Sequence, residues 1–123
     1  MEWTPIVDAA YDCSISVGTI TTTGVITLQL KDYAGNDLQE IGRVTCYITS
    51  DAAGLTQSTV TSLAISTDGI LHTIHDTYSY ELISETDGDI DLAIDGTGAN
   101  SRYLHVVLPN GRVKHSAVIT FTG

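Results

Sequence analysis

Between Asp76 and Asp95 lie seven acids, Asp76, Glu81, Glu85, Asp87, Asp89, Asp91 and Asp95, with no Lys or Arg among them. The run Asp87-Gly88-Asp89-Ile90-Asp91 starts as a calcium loop starts, with alternating carboxylates for a cation that takes roughly six to eight oxygens. The rest of such a loop is missing. Leu92 stands where the turn glycine belongs, and Gly98 where the bidentate glutamate belongs. Alternation along a strand puts Asp87, Asp89 and Asp91 on one wet face, so the residues read as a solvated acidic face with no metal.

The other reactive residue types make no stronger pattern. Of the four histidines, His72 and His75 are three apart, a spacing that puts them on opposite faces of a strand. His105 and His115 fall on opposite faces of the hairpin described below. A zinc site would need a long-range convergence that nothing local predicts. There is no Gly-x-Ser-x-Gly elbow, no cysteine-protease signature and no phosphate-binding glycine loop opening a helix. The reading is of a chain that is not an enzyme, with no catalytic residue and no cofactor.

The elements that would position these residues are strands. Ile26, Leu28 and Leu30 alternate with Thr27 and Gln29; Val44, Cys46 and Ile48 with Thr45, Tyr47 and Thr49; Ile90, Leu92 and Ile94 with Asp91, Ala93 and Asp95. Such period-two patterns belong to antiparallel strands with one buried face. Further strands are predicted at Tyr11–Val17, Ser62–Ser66, Ile70–Ile74 and Tyr78–Thr86. Asn110-Gly111 predicts a two-residue hairpin loop between Arg102–Pro109 and Arg112–Phe121. That register opposes Leu108 to Val113 and Leu104 to Ala117, with Val106 on the same face. No amphipathic helix is evident. Seven to nine short strands predict an all-β fold, an antiparallel β-sandwich of immunoglobulin-like layering, with sandwich against barrel left open. The sandwich spans residues 11–123, and residues 1–10, with Pro5 and no alternation, form an extended N-terminal arm.

Composition narrows the partners. The 123 residues carry 15 acids against five bases, a net charge of -10. Nucleic acid binding needs a basic stripe, and an anionic membrane surface is disfavoured on the same ground. No signal-peptide pattern or membrane-length apolar run is visible, so synthesis in the cytoplasm is expected. Cys13 and Cys46 read as buried free thiols, with an inter-sheet bridge as the alternative.

What remains is surface. Tyr33, Tyr47, Tyr78, Tyr80 and Tyr103 include several that alternation turns outward, Tyr47 and Tyr103 most clearly. Tyrosines bury contact area at low entropic cost. Trp3, with Ile6 and Val7, would let the arm dock on a neighbour. Arg102, Arg112 and Lys114, three of the five bases, sit in the C-terminal hairpin and could face the acidic stretch of a second copy. Trp3, Ile6, Val7, Tyr47, Tyr103, Arg102, Arg112 and Lys114 are the candidate interface.

Several segments resemble small virion proteins of tailed bacteriophages. They are Leu28-Gln29-Leu30-Lys31-Asp32 with Ala34-Gly35, Tyr47-Ile48-Thr49-Ser50-Asp51-Ala52, Ser66-Thr67-Asp68-Gly69, and Leu82 to Leu92. Tyr103 to Arg112 and Ser116 to Phe121 complete the set, so the likeness runs from Val25 to Phe121. The resemblance implies a β-sandwich virion protein, often a capsid decoration or cement protein. Such a protein would bind the outer surface of the major capsid protein and stabilise the head, as a homo-oligomer (dimer or trimer). The alternative it implies is a tail or fibre module mediating attachment, with surface carbohydrate as a further possible ligand. It carries over no catalytic residue.

Overall fold

A computed structural model describes residues 10–96 and 98–122. Among these the chain forms ten strands and no helix. They are β1 (Asp12–Val17), β2 (Thr23–Lys31), β3 (Arg43–Thr49), β4 (Ser62–Ile65), β5 (Ile70–His75), β6 (Ser79–Ile83), β7 (Asp89–Asp95), β8 (Ala99–Val107), β9 (Val113–His115) and β10 (Ile119–Thr122). All pairings are antiparallel. A four-stranded sheet runs β1-β2-β7-β4; a six-stranded sheet runs β10-β8-β3-β6-β5, with β9 also paired to β8. The two sheets pack as a sandwich of immunoglobulin-like layering, which decides against a closed barrel.

The alternation seen in the sequence becomes the core. Ile26, Leu28 and Leu30 of β2 and Ile90, Leu92 and Ile94 of β7 point inward from one sheet. Val44, Cys46 and Ile48 of β3, Leu104 and Val106 of β8, and Ile119 and Phe121 of β10 meet them from the other. Each of these is at most 2% exposed. A buried Leu or Ile contributes roughly 1.5–3 kcal/mol, so this layer dominates the stability. Cys13 and Cys46 are both buried and unbridged. Burial pushes each thiol up to about 12, which leaves little thiolate to react. Tyr80 also belongs to the core, at 1% exposure, and not to the surface. So does Ala10, at 2%, although the arm was expected to run through it.

Ten strands form instead of seven to nine because the last predicted strand is broken. The expected two-residue loop is a three-residue one, Pro109-Asn110-Gly111. Leu108 N–H donates to the Arg112 carbonyl at 2.8 Å, and Gly111 N–H to the Leu108 carbonyl at 2.9 Å. Proline fits the first central position of such a turn, since its φ is preset and its missing N–H is not needed. Gly111 supplies the positive φ of 86° that closes it. The loop therefore shifts β9 by one residue, so that His105 opposes His115 and Val107 opposes Val113. Ile119 nevertheless opposes Arg102 and Phe121 opposes Asn100, the register of the shorter loop.

The extra residue is absorbed by a bulge at Ser116–Val118. Ser116 N–H donates to the Leu104 carbonyl at 2.9 Å. Its hydroxyl accepts the Leu104 N–H at 3.1 Å and donates to the Ala117 carbonyl at 2.7 Å. One buried side chain thus satisfies backbone groups that the bulge would orphan. Ser116→Ala should cost about 1–3 kcal/mol, because the Leu104 amide would be left buried without its acceptor. Urea unfolding of the two proteins measures this; a loss below about 0.3 kcal/mol would mean that the hydroxyl does not hold the bulge.

Candidate binding face

The outer surface of the six-stranded sheet collects residues that are scattered in sequence. Directly paired positions run across five strands as His115, His105, Tyr47, Ser79 and His75. The next row runs Val113, Val107, Thr45, Glu81 and His72. All four histidines of the chain therefore lie on one face. Two one-residue irregularities put them there. The longer hairpin loop brings His115 opposite His105. In β5 a register shift between Thr73 and His75 makes Ile74 an extra residue and turns His75 to the side of His72.

The rings touch in sequence across the face. Tyr47 stacks on His105 at 4.9 Å and leans on Tyr78 at 6.4 Å; Tyr78 meets His75 edge-on at 6.0 Å. His105 lies 5.8 Å from His115, which meets Tyr103 edge-on at 6.1 Å. Among the described strand residues facing this way, only Arg43 and Glu81 carry formal charge. On a chain of net charge -10 this is a nearly neutral, aromatic surface.

His105 is the anchor of one edge. It is 2% exposed although it points away from the core, because residues 50–57 fold over it. Its Nε2 lies 2.8 Å from Thr49 Oγ1, and that hydroxyl donates to the Asp51 carbonyl at 2.7 Å. The hydroxyl hydrogen being used, Nε2 is the donor to Thr49 and the proton of the neutral ring sits on Nε2. Asp51 in turn accepts from the Leu55 and Thr56 amides. Gly54, at φ 76°, lies so close that a Cβ there would sit 3.0 Å from the imidazole. A hydroxyl beside an imidazole is a possible nucleophile and base, but Thr49 is 1% exposed and its hydrogen points at a carbonyl. The pair works as a clamp on the loop.

The acids gather on the opposite side of the sandwich. Asp89 and Asp91 of β7 meet Asp68 from the β4–β5 turn, and among the described residues these three carboxylates are the set close enough to hold a cation. Asp91 is held below the usual carboxylate range, first by the Thr67 hydroxyl at 2.6 Å and also by Thr27 at 3.0 Å. Asp89 goes the other way. Burial first, then its hydrogen bond to Asp68 and the charges of Asp91, Asp68 and Asp87, push it up to about 6. Glu85 is raised as well, chiefly by its hydrogen bond to Asp68. The expected wet acidic face is thus also a site of mutual repulsion.

Of the predicted interface residues, Tyr47 and Tyr103 lie on the neutral face, both half-buried. Trp3, Ile6 and Val7 lie outside the described residues. The three bases are not gathered as expected. Arg102 shares the inward side of β8 with Leu104 and caps the end of the sandwich, its Nε donating to the Thr59 carbonyl at 2.9 Å. Arg112 lies over the Tyr11 ring at 5.3 Å, and Lys114 pairs with Asp12 at 3.3 Å. These two brace β9 against β1. Both keep part of their side chain in solvent, Arg112 exposed and Lys114 half-exposed. His72, His75, His105 and His115 are the face residues that the sequence did not bring together, and Tyr78, one of the tyrosines it offered for the surface, joins them. Pro109 was the one available signal, since it favours the longer loop.

Two pH effects follow. Burial is the main reason that the His105 imidazole is held below its ordinary value of 6.5. A depressed histidine contributes stability above the unfolded value and loses it as pH falls. Thr49→Val should cost about 1–3 kcal/mol at pH 7.5 by leaving Nε2 only the long, 3.4 Å contact to the Asp51 carbonyl. Hydrogen exchange at the Leu55 and Thr56 amides should quicken, and wild type should show the same quickening on acidification below about pH 6. Unchanged exchange in both would refute the clamp. Asp89 has the opposite sign: raised from 3.8 to about 6, it destabilises at neutral pH, and that penalty is absent below the unfolded value. Asp89→Asn should add about 1 kcal/mol at pH 7.5, a figure kept small by solvent screening, and nothing near pH 3.5. Equal gains at both pH values, read from urea unfolding, would show that repulsion is not the cause.

No known family model matches the chain, and no curated protein matches it. Among solved structures it is similar to a cohesin module from a Clostridium perfringens family 33 glycoside hydrolase, at 11% identity and a TM-score of 0.47, over 90% of this chain and 96% of that one.

Proposed function

We propose that this chain is a non-enzymatic structural protein of a tailed-bacteriophage particle, a head decoration protein. It seats the tyrosine–histidine face of the six-stranded sheet on the outer surface of the major capsid protein. It is made in the host cytoplasm and ends on the capsid surface. The observation that carries this reading is the face itself: Tyr47, Tyr78, Tyr103 and the exposed His72, His75 and His115, with two formal charges on the strand positions around them, on an otherwise acidic body. Protein interfaces are enriched in aromatic residues and poor in charge at their centres. The segments from Val25 to Phe121 that resemble phage virion proteins supply the location. Acid on the far side of the sandwich would keep a high-copy protein soluble before assembly.

Attachment without catalysis is consistent with the chemistry of the described residues. The hydroxyl–imidazole pair is sealed under a loop, and Arg102 is spent on backbone carbonyls. A second reading, a tail or fibre module holding surface carbohydrate, is favoured by one feature. The Tyr47, Tyr78 and His75 rings form a connected aromatic strip, and such strips can stack on sugar rings.

Cryo-electron microscopy of shells mixed with the purified chain tests the first reading. Ordered density at repeated lattice positions, with the six-stranded sheet towards the shell, supports it; a bare shell sinks it. Tyr103→Ala should weaken attachment by about tenfold or more if the ring is buried at the contact. Because the face is nearly uncharged, raising salt from about 0.1 M to about 0.5 M should leave attachment intact.

A further inference from the structure

We propose that a second copy of this chain pairs with the first along β5, antiparallel and about a twofold axis, extending the six-stranded sheet across both copies. β5 is the outermost strand of that sheet and is hydrogen-bonded on one side, to β6. Its other edge presents backbone N–H and C=O groups to solvent, the template on which another strand adds.

The remaining edges are blunted. β4 and β10 have four residues each. β1 has six, but it begins with the charged Asp12 and is braced to β9 by Lys114 and Arg112. β5 also has six residues, Ile70-Leu71-His72-Thr73-Ile74-His75, with no Asp, Glu, Lys, Arg or Pro. On a body of net charge -10, two copies repel wherever acids meet. β5 itself contributes no acid; the nearest along the chain, Asp68 and Asp76, lie just beyond its two ends and would face each other across the pairing, which further limits the affinity.

The strand is also its own complement. Ile70 is 54% exposed near one end and Ile74 is 62% exposed near the other. Antiparallel pairing brings Ile70 of each copy towards Ile74 of its mate, so each exposed side chain covers the other. The same patch does the same work on both copies, as a twofold contact requires. Ile41, 60% exposed, adds apolar surface beside Ile70 in a shallow pocket whose other side is polar, lined by Ser84, Glu85 and Thr86. The bulge at Ile74 shortens the run that can pair, so the contact is small and the affinity modest, on the order of micromolar.

The inference does not depend on attachment to a shell, and its test uses the isolated chain. Sedimentation velocity from about 1 µM to about 1 mM should show a shift from one chain to two. Ile70→Lys and Ile74→Lys should each raise the dissociation constant at least tenfold. Val25→Lys, on the outer face of the other sheet, should leave it unchanged. Where a lysine variant fails to fold by circular dichroism, Ile70→Thr with Ile74→Thr is read in its place. Hydrogen exchange at the β5 amides should slow as concentration rises. A monomer throughout the range, or a dimer indifferent to the β5 substitutions, overturns the proposal.

Discussion

The hydrogen bond from the Leu108 amide to the Arg112 carbonyl sets the register of the outer hairpin. It closes a loop of three residues, and every side chain of β9 takes its direction from that count. Because of it His115 stands opposite His105, Lys114 turns to Asp12, and Arg112 reaches the Tyr11 ring. The same count would have turned Ile119 and Phe121 out of the core. The bulge at Ser116 returns them. One loop residue gained and one strand residue absorbed let a single edge serve both the aromatic face and the apolar interior.

Charge is divided between the two sheets with similar economy. The carboxylates of Asp68, Asp89, Asp91 and Asp95 lie along the four-stranded side, where threonine and serine hydroxyls hold two of them. The six-stranded side keeps rings and histidines. The core between the sheets needs no polar partner for this, because inward positions are aliphatic almost throughout. Each outer face can therefore specialise without disturbing the packing.

Most of the fold could be read before the structure was known. Strict alternation in β2, β3 and β7 identifies inward and outward residues, since those strands pair without interruption. The burial of Cys13 and Cys46 and the outward Tyr47 and Tyr103 follow from the same pattern. The candidate face could not be read as a whole. Its assembly depends on the bulge at Ile74, which has no local signature, and on the three-residue loop at Pro109-Asn110-Gly111. A one-residue slip reverses the direction of everything beyond it. The Asn-Gly rule pointed to the shorter loop, and the geometry of Pro109 outweighed it. The basic residues of the hairpin looked free because their partners, Tyr11, Asp12 and Thr59, are distant in sequence.

The central pair of each sheet joins segments far apart along the chain. Gln29 lies opposite Asp89, and Thr45 opposite Val107. The four-stranded sheet has no middle until Asp95 has been made, and the six-stranded sheet none until Val107. A ribosome-bound fragment stopping at Asp95 would hold β2 and β7 together but would leave β3 paired to β6 alone, without the Leu104, Val106, Ile119 and Phe121 side chains that complete the opposing layer. Completion of the core thus waits on pairings between segments distant in sequence, the circumstance in which chains fold over milliseconds to seconds and not microseconds. During that interval the uncharged segments, β5 foremost, are the ones open to a wrong neighbour.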